Sequence, residues 1–331
     1  MKIYLLYENQ DWLPPLRREL DLAALPYDAW FVHTGAIDLS QEPPDGVFLN
    51  RMSPSSHTRG HRESVDYMRE LLTWLESYDR RVINGSRALA LEMSKVQQYT
   101  ALRRAGLLTP HTIAVSGGSE ALKTAALQMP LPFITKHNRG GKGLGVQLFR
   151  SLNAFNAYVD SPEFEKPVDH ITLLQEYIEA PEPYITRVEI VDGELLYAIR
   201  SDTSQGFQLC PAERCETGDA FCPTTNSPAN GVFDRQNLFA LREGFHDPII
   251  DQYITFMQAN GIDLAGIEFI EDRHGNKITY DINGTTNYSP AVEEHHGLNG
   301  MRAVVRLLER ELLAAERHMA EAPSQWAMAS A

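Results

Sequence analysis

Two acidic side chains in one stretch of the chain have the chemistry and the predicted spacing of a metal site. Gly266–Ile270 and Lys277–Asn283 alternate apolar and polar residues on either side of a polar loop, which predicts a β-hairpin. A four-residue loop, Arg273–Asn276, would fix the register of the two strands. The predicted opposing pairs are Asp272 with Lys277, Ile270 with Thr279, and Glu268 with Asp281.

In this register the carboxylates of Glu268 and Asp281 face each other, and Asn283 lies on the same side of the hairpin two residues further on. Like charges that oppose each other across a sheet are destabilising, which indicates a cation between them. Three oxygen donors favour Mg²⁺, with Mn²⁺ as a substitute, over a softer metal. The alternative is a solvated sheet face with lysine or arginine nearby, and the hairpin alone leaves both open.

A glycine-rich segment lies earlier in the chain, between two predicted strands. His137–Gly145 contains Gly140, Gly141, Gly143 and Gly145 together with two cations. Glycine lets a backbone approach phosphate closely, and the amides of a turn can bind anions. The segment is neither the phosphate loop nor the dinucleotide-binding turn, because no helix follows it. It predicts a mobile flap; a glycine-rich hairpin without a ligand is the alternative.

The first 90 residues alternate strands with helices, which predicts a parallel sheet with helices packed on it. The predicted strands are Lys2–Tyr7, Tyr27–His33, Gly46–Asn50 and Arg81–Asn84, and the helices are Leu16–Leu25 and Ser64–Tyr78. Ligands bind such sheets at the carboxyl ends of the strands. The polar loop after Asn50 lies there, and we expect Arg51 or Arg59 to hold a substrate carboxylate with Ser55 and His57 nearby. A solvated loop is the alternative.

The remaining elements are predicted from apolar periodicity, caps and turns. Ser94 caps a helix, and Asp192–Gly193 is typical of a type I′ hairpin turn. The predicted strands are Thr112–Ser116, Phe133–Lys136, Val146–Phe149, Leu173–Ile178, Ile185–Val191 and Glu194–Arg200. The predicted helices are Lys95–Ala105, Glu120–Gln128, Pro248–Ala259 and Leu298–Ala314.

Composition limits the classes of protein that the chain can belong to. With 331 residues, of which 43% are apolar, it is globular, and two or three domains are expected. A net charge of −14 argues against a nucleic-acid or anionic membrane surface as partner. No apolar run is long enough to span a membrane, and the chain opens on a strand without a signal peptide. We therefore expect a cytoplasmic protein, and a monomer and a homodimer are both compatible with the sequence.

Four motifs in a fixed order resemble the ATP-grasp superfamily, and within it the alpha-L-glutamate ligase-like carboxylate–amine ligases. They are the strand that ends in Lys136, the glycine flap, the strand end Gln175–Ile178, and the acidic hairpin with Asp281 and Asn283. The resemblance covers roughly residues 84–315. It implies a fold of α/β and α+β parts, in which two α+β subdomains grip ATP. The implied divisions are an N-terminal parallel-sheet domain over 1–90, a central subdomain over 91–178, a C-terminal subdomain over 179–318, and a flexible tail over 319–331.

The resemblance also implies a role for each matching residue. The implied ATP-binding residues are Lys95, Lys136, Asn138, Gly140, Gly141, Lys142 and Gly143, the adenine hinge Gln175, Glu176, Tyr177 and Ile178, and Glu182 at the ribose. The implied Mg²⁺ ligands are Glu268, Asp281 and Asn283. The implied catalytic residues, which would steady a phosphorylated intermediate, are Arg187, Arg200 and Lys136. Asn287 joins Arg51, Ser55, His57 and Arg59 as a candidate for substrate binding.

Three departures from the family pattern bear on these roles. Glu268 and Asp281 exchange the usual order of Asp and Glu, and across a hairpin that exchange roughly preserves their total reach. Ile185 stands where the family often has Asp, which weakens the ribose assignment of Glu182. Gly284–Tyr288 replaces a Pro-Gly turn, so the substrate side of the site is expected to differ.

The activity that the resemblance implies is that of an ATP-dependent carboxylate–amine ligase. ATP would phosphorylate a carboxylate, and an amine would attack the acyl phosphate to give an amide, ADP and phosphate. An amino acid or a peptide is the expected substrate. The alternatives are an ATP-grasp kinase that stops after phosphorylating its acceptor, and a nucleotide-binding protein without turnover.

All three cysteines fall within a short irregular stretch, Cys210, Cys215 and Cys222. Their spacing contains no CxxC pair, so buried structural thiols are a better prediction than a zinc site. A disulfide is disfavoured by the expected reducing compartment.

Overall fold

Four parallel strands form the first sheet, as the alternation of strands and helices predicts. The computed structural model describes residues 1–141, 143, 145–204 and 238–321. The strands are β1 (Lys2–Tyr7), β2 (Tyr27–Phe31), β3 (Gly46–Arg51) and β4 (Arg81–Ile83), in the order β2-β1-β3-β4. The helices that accompany them are α1 (Pro14–Leu22), α2 (Ser64–Ser77) and α3 (Ser86–Glu92). The carboxyl ends of β1 and β3 lead into the loops that approach the candidate site.

The second sheet is antiparallel and carries the glycine-rich segment at one end. Its strands are β5 (Thr112–Ser116), β6 (Phe133–His137), β7 (Gln147–Phe149) and β8 (Ile171–Glu176), in the order β5-β8-β6-β7. Helix α4 (Lys95–Arg104) leads into this part of the chain, and Ser94 caps it by accepting a hydrogen bond from the backbone N–H of Gln97. Helices α5 (Ser119–Ala126) and α6 (Leu152–Val159) cover the sheet with a small aromatic and aliphatic core.

The third sheet contains the acidic hairpin. Its strands are β9 (Tyr184–Val191), β10 (Glu194–Asp202), β11 (Phe239–Leu241), β12 (Leu264–Glu271) and β13 (Lys277–Asn283), in the order β11-β10-β9-β12-β13. Its helices are α7 (Ile249–Ala259) and α8 (Pro290–His296), whereas α9 (Gly300–Glu321) packs mainly against α1 and the first sheet. Asp192 and Gly193 both have positive φ, 57° and 75°, which confirms the predicted turn type between β9 and β10.

The register of the acidic hairpin confirms the predicted pair Glu268 with Asp281, but the other two predicted pairs are wrong. Glu271 pairs with Lys277, and Phe269 pairs with Thr279. The loop between the strands has five residues instead of four, and a β-bulge between Glu268 and Phe269 restores the register at the acidic pair.

Several other boundaries differ from the sequence prediction. Helices α3, α6 and α8 have no predicted counterpart, because short helices show little apolar periodicity. Helix α9 continues through Glu321, so the first three residues of the predicted tail are helical. The three cysteines, Lys142 and the chain beyond Glu321 lie outside the described residues. Within the described part, no helix combines the length and apolar character needed to cross a membrane.

Candidate active site

A cavity of about 520 Å³ lies where loops of the first sheet meet the second and third sheets. It gathers residues from each of the four motifs that resemble the ATP-grasp superfamily. The predicted residues that line it are Ser55, Lys136, Gly140, Gly141, Gly143, Gln175, Glu176, Tyr177, Ile178, Arg187, Glu268, Asp281, Asn283 and Asn287. The predicted residues with described positions that do not line it are Arg51, His57, Arg59, Lys95, Asn138, Glu182 and Arg200.

Both acids of the hairpin form ion pairs, Glu268 with Arg187 of the third sheet and Asp281 with Lys95 of α4. Glu268 accepts a hydrogen bond from Arg187 Nη1 at 2.9 Å and another from the Tyr280 hydroxyl at 2.7 Å. Asp281 Oδ1 forms an ion pair with Lys95, whose side chain is 2% exposed. Burial would raise the pKa of the Asp281 carboxyl, but the ammonium groups of Lys95 and Lys136 hold that pKa below its ordinary value.

The same acids, with Asn283, have the donor atoms that a hard divalent cation requires. Asp281 Oδ2 and the Asn283 amide make no hydrogen bond with a described residue, so they remain available as oxygen ligands. Among the residues described, no group of three or more His, Cys, Asp or Glu is placed to hold a metal ion. The set of two carboxylates and one amide therefore fits Mg²⁺ with ligands completed by water or phosphate, and does not fit a site made by protein carboxylates alone.

A buried lysine, Lys95, and a half-buried lysine, Lys136, lie beside Asp281. Lys136 Nζ is 3.4 Å from the carbonyl oxygen of Tyr280 and 5.3 Å from the centroid of its ring. Burial, reinforced by the nearby charge of Lys95, lowers the pKa of Lys136 to about 8, although Asp281 and Glu268 oppose the shift. Lys136 therefore lines the cavity as a cation that loses its proton more readily than an ordinary lysine, whereas Lys95 is occupied by its ion pair with Asp281.

The predicted adenine hinge lies at the end of β8, and most of its polar groups are already used within the protein. Gln175 Oε1 accepts a hydrogen bond from Tyr99, and Glu176 Oε1 accepts one from the backbone N–H of His111. The backbone N–H of Tyr177 donates to the carbonyl of Pro132 at 3.2 Å. The backbone N–H and carbonyl of Ile178 have no partner among the described residues, so they are the hinge groups free to meet a ligand.

The glycine-rich segment reaches the cavity with Gly140, Gly141 and Gly143. Gly143 and Gly145 have φ of 76° and 68°, which favours glycine at both positions. Asn138, predicted to join this flap, instead holds the start of α4. Its side chain accepts hydrogen bonds from the Ser94 hydroxyl and the Val96 backbone N–H, and donates to Asp169.

Of the two predicted catalytic arginines, the structure brings Arg187 to the acidic pair and leaves Arg200 outside the cavity. Arg187 binds Glu189, Glu268 and Thr286 in a buried network. Arg200 is exposed, and its guanidinium lies 4.5 Å from the ring centroid of Tyr184, which does line the cavity. Glu182, predicted at the ribose, is exposed between the lining residues Pro181 and Pro183.

The loop after β3 approaches the cavity, but its cations are largely occupied. Arg59 makes two hydrogen bonds to Glu8, at 3.0 and 2.6 Å, so the carboxylate that it holds belongs to this chain. Arg51 is 3% exposed and donates to Asn287 Oδ1 at 2.5 Å; burial lowers the pKa of its guanidinium to about 10. His57 contacts the carbonyl of Pro54 at 3.2 Å.

Sequence reasoning missed several residues of the site. The cavity is also lined by Glu92, Tyr280, Thr286 and Tyr288. Glu189 does not line it but binds the lining residue Arg187. Burial raises the pKa of the Glu92 carboxyl to about 7, although the backbone N–H of Thr285 opposes the shift. Tyr280 had a signal in the sequence because it lies between the two acids of the hairpin, whereas Glu92 ends a short helix that no pattern predicted.

Comparison with known proteins identifies the fold. No protein-family model matches the chain, and no curated protein matches it. Solved structures match almost all of it. The ATP-grasp ligase PsnB, complexed with a minimal precursor, has a TM-score of 0.64 at 15% identity, and the match covers 94% of this chain and 99% of PsnB. The chain has the ATP-grasp fold.

Two further solved structures with the same fold differ in what they make. D-cycloserine synthetase DcsG matches with a TM-score of 0.63 at 16% identity, covering 94% of this chain and 99% of its own. The macrocyclase MdnC, bound with precursor peptide MdnA from Microcystis aeruginosa MRC, matches with a TM-score of 0.60 at 14% identity, covering 94% and 100%. The α/β and α+β fold class predicted from the motif order is therefore confirmed.

Proposed function

We propose that the chain is an ATP-dependent carboxylate–amine ligase that acts through an acyl phosphate on an amino acid or peptide. The observation that carries this proposal is the meeting of Glu268, Asp281, Lys136 and Arg187 in one cavity, which the glycine-rich segment and the free backbone of Ile178 also reach. PsnB and MdnC, which share the fold, are complexed with a precursor or a precursor peptide, which supports a peptide among the substrate classes.

Each group has a role that its position supports. The Ile178 backbone would bind the adenine edge, and the glycine-rich segment with Lys136 would bind the phosphates. Glu268, Asp281 and Asn283 would hold Mg²⁺, which when bound neutralises the charge that develops on the transferred phosphoryl group. Arg187 would stabilise the phosphorylated carboxylate. Glu182 and Arg200 remain proposed contributors at the edges of this site, and Lys142, which lies outside the described residues, remains a proposed phosphate-binding residue.

ADP release with defined substrates tests the proposal. The protein is incubated with ATP, Mg²⁺ and pairs of common amino acids, and ADP is measured with both partners, with each alone, and with hydroxylamine in place of the amine. A ligase requires a carboxylate and an amine, and hydroxylamine should trap a hydroxamate. ADP formation with one acceptor and no hydroxamate would replace the ligase with a kinase, and binding of ATP without ADP release would replace it with a binding protein.

A further inference from the structure

One buried carboxylate on the wall of the cavity forms no ion pair with a described residue, although Lys95 and Arg51 act on it from a greater distance. Glu92 is 6% exposed and accepts a hydrogen bond from the backbone N–H of Thr285 at 3.1 Å. A carboxylate removed from water without a cation is costly, so its retention at a cavity wall calls for a reason.

The other buried acids in and behind the cavity are paired with cations, whereas Glu176 and Glu179, which line it without an ion pair, remain in contact with water. Arg187 pairs with Glu189 and Glu268, and Lys95 pairs with Asp281. At the neighbouring loop of the first sheet, Glu8 is likewise paired with Arg59. Among the buried acids of the described residues, Glu92 is therefore the one without an ion pair.

Its position places Glu92 next to the reacting groups. The charges of Lys95, Asp281 and Arg51 all act on Glu92, and Thr285, which binds it, belongs to the loop that follows the acidic hairpin. The hydroxyl of Thr285 donates to the carbonyl of Met52, so the same residue joins Glu92 to the loop after β3. A positive group bound by Glu92 would lie close to the proposed site of phosphoryl transfer.

We infer that Glu92 binds the ammonium group of the amine substrate. The inference deepens the proposed ligase function and rests on it, because a ligase must hold an amine beside the acyl phosphate. An amine with a pKa of about 8 arrives as a cation at neutral pH and supplies the missing ion-pair partner of Glu92; the proton that it must lose before it attacks the acyl phosphate would pass to the Glu92 carboxylate. Hydrogen bonds to charged groups are stronger than those between neutral groups. This contact would therefore favour a substrate with an ammonium group over one whose nitrogen is already acylated and neutral.

A purely structural Glu92 would serve only to accept the hydrogen bond from Thr285. Glu92→Gln separates the two roles, because the amide oxygen can still accept that hydrogen bond while the negative charge is lost. Glu19→Gln is the matched control: Glu19 is also a buried carboxylate, 8% exposed, but it pairs with Arg302 at the surface of α1, outside the cavity.

Direct binding provides a test that does not depend on turnover. The amides of the common L-amino acids are titrated into the wild-type protein and both variants in the presence of a non-hydrolysable ATP analogue, and their N-acetylated forms serve as ligands without an ammonium group. At least one amide should bind the wild type and the Glu19→Gln variant, and its affinity should fall at least about tenfold in Glu92→Gln. The N-acetylated forms should bind poorly to all three, and the affinity for the ATP analogue should change by less than about twofold.

The outcomes distinguish failure of the inference from failure of the proposed function. Equal affinity of the amides for the wild type and Glu92→Gln, or no binding to the wild type, would overturn the ammonium site. Amide binding that depends on Glu92, without ADP release for any carboxylate, would retain the ammonium site and reject the ligase. With turnover, the ratio of amine to hydroxylamine product should fall in Glu92→Gln, because hydroxylamine is largely uncharged at neutral pH; an unchanged ratio would contradict the inference.

Discussion

Ion pairs inside the free protein neutralise the acids of the proposed metal site. Lys95 is 2% exposed and binds Asp281, whereas Arg187 is shared between Glu268 and Glu189. The two acids therefore differ in what remains when one of them is lost. Removing Asp281 leaves the buried Lys95 with Gln98 Oε1 at 3.5 Å and no carboxylate at ion-pair distance, whereas removing Glu268 leaves an arginine that still pairs with Glu189.

We expect Asp281→Asn to destabilise the protein more than Glu268→Gln. An uncompensated buried charge costs about 3–5 kcal/mol, and the first variant but not the second creates one at Lys95. Urea unfolding measures the difference, with Asp251→Asn on the exposed side of α7 as a control. Both site variants should also lose turnover at limiting Mg²⁺. Equal stabilities, or wild-type turnover in either variant, would contradict the roles given to these acids.

The lowered pKa of Lys136 predicts how the affinity of the protein for ATP depends on pH. Burial lowers its pKa to about 8, so the side chain is charged below that pH and neutral above it. Phosphate favours the charged form, so the pKa of Lys136 should be higher in the complex than in the free protein. Binding then takes up a proton above pH 8, and the affinity for ATP should fall as pH rises, by up to about tenfold per pH unit.

Calorimetry between pH 7 and about pH 9.5, with chelator and without added metal, measures this dependence. Lys136→Met should bind ATP more weakly and flatten the pH profile. Lys166→Met, at an exposed position before β8, should retain the profile of the wild type. A profile that Lys136→Met leaves unchanged would assign the pH dependence to another group.

The sequence predicts a residue's contribution well where counting along a strand decides it. The loop is one residue longer than predicted, which shifts the pairing of the two strands by one residue. The bulge adds one residue on β13 and shifts the pairing back, so Glu268 still opposes Asp281. Arg59 shows the limit, since its partner Glu8 lies 51 residues away and no local pattern connects them. Glu92 shows the same limit, because the loop after β13 buries its carboxylate, and the sequence around Glu92 does not contain this contact.

The acidic hairpin is the element that arranges the site, and tertiary contacts hold β13 beside its bulge. The backbone N–H of Thr279 donates to the carbonyl of Leu108 at 2.8 Å, and its hydroxyl contacts Tyr253 at 2.7 Å. These contacts come from the chain after α4 and from α7, so the pattern of β13 itself does not contain them. The bulge leaves Tyr280 unpaired in the ladder, and its hydroxyl binds Glu268.

The glycine-rich segment supplies a prediction at the same scale. A Cβ added to Gly145, at φ 68°, would lie 2.2 Å from the ring of His137, so Gly145→Ala combines backbone strain with a steric clash. Strain of about 1–3 kcal/mol in the loop should weaken ATP binding by roughly tenfold or more. Gly141→Ala is the matched variant, since its Cβ would meet Ser55 at an ordinary 3.9 Å and should have a smaller effect.

Hydrogen exchange over residues 140–145 measures the mobility of this segment. In the wild type, exchange there should slow when an ATP analogue is added, because an ordered glycine backbone is entropically costly without a ligand. The protection should be reduced in Gly145→Ala. Equal exchange with and without the analogue would contradict the predicted flap.

At the scale of the whole molecule, one apolar core crosses the predicted domain boundaries. Residues of β1, β3 and α1 pack with residues of α9, and Val191, Tyr197 and Leu264 from the third sheet join the same core. The periodicity of α9 predicts that it is a helix with an apolar face. It does not predict which sheet that face covers, because the first strand and the last helix are about 300 residues apart in sequence.

This shared core predicts that a change in the last helix destabilises the first sheet. Leu308 is fully buried in α9 among the residues that cover β1 and β3, so Leu308→Ala should cost about 2–5 kcal/mol. Three of the four tryptophans, Trp12, Trp30 and Trp74, lie in the first 90 residues, so fluorescence of a Trp326→Phe background reports on that region. In Leu308→Ala, the urea transition measured by tryptophan fluorescence should shift together with the transition measured by circular dichroism.

Leu313→Ala, at a residue 52% exposed on the same helix, should change stability by less than about 0.5 kcal/mol. If Leu308→Ala moved the circular dichroism transition and left the tryptophan transition in place, the first sheet would be shown to fold independently of α9.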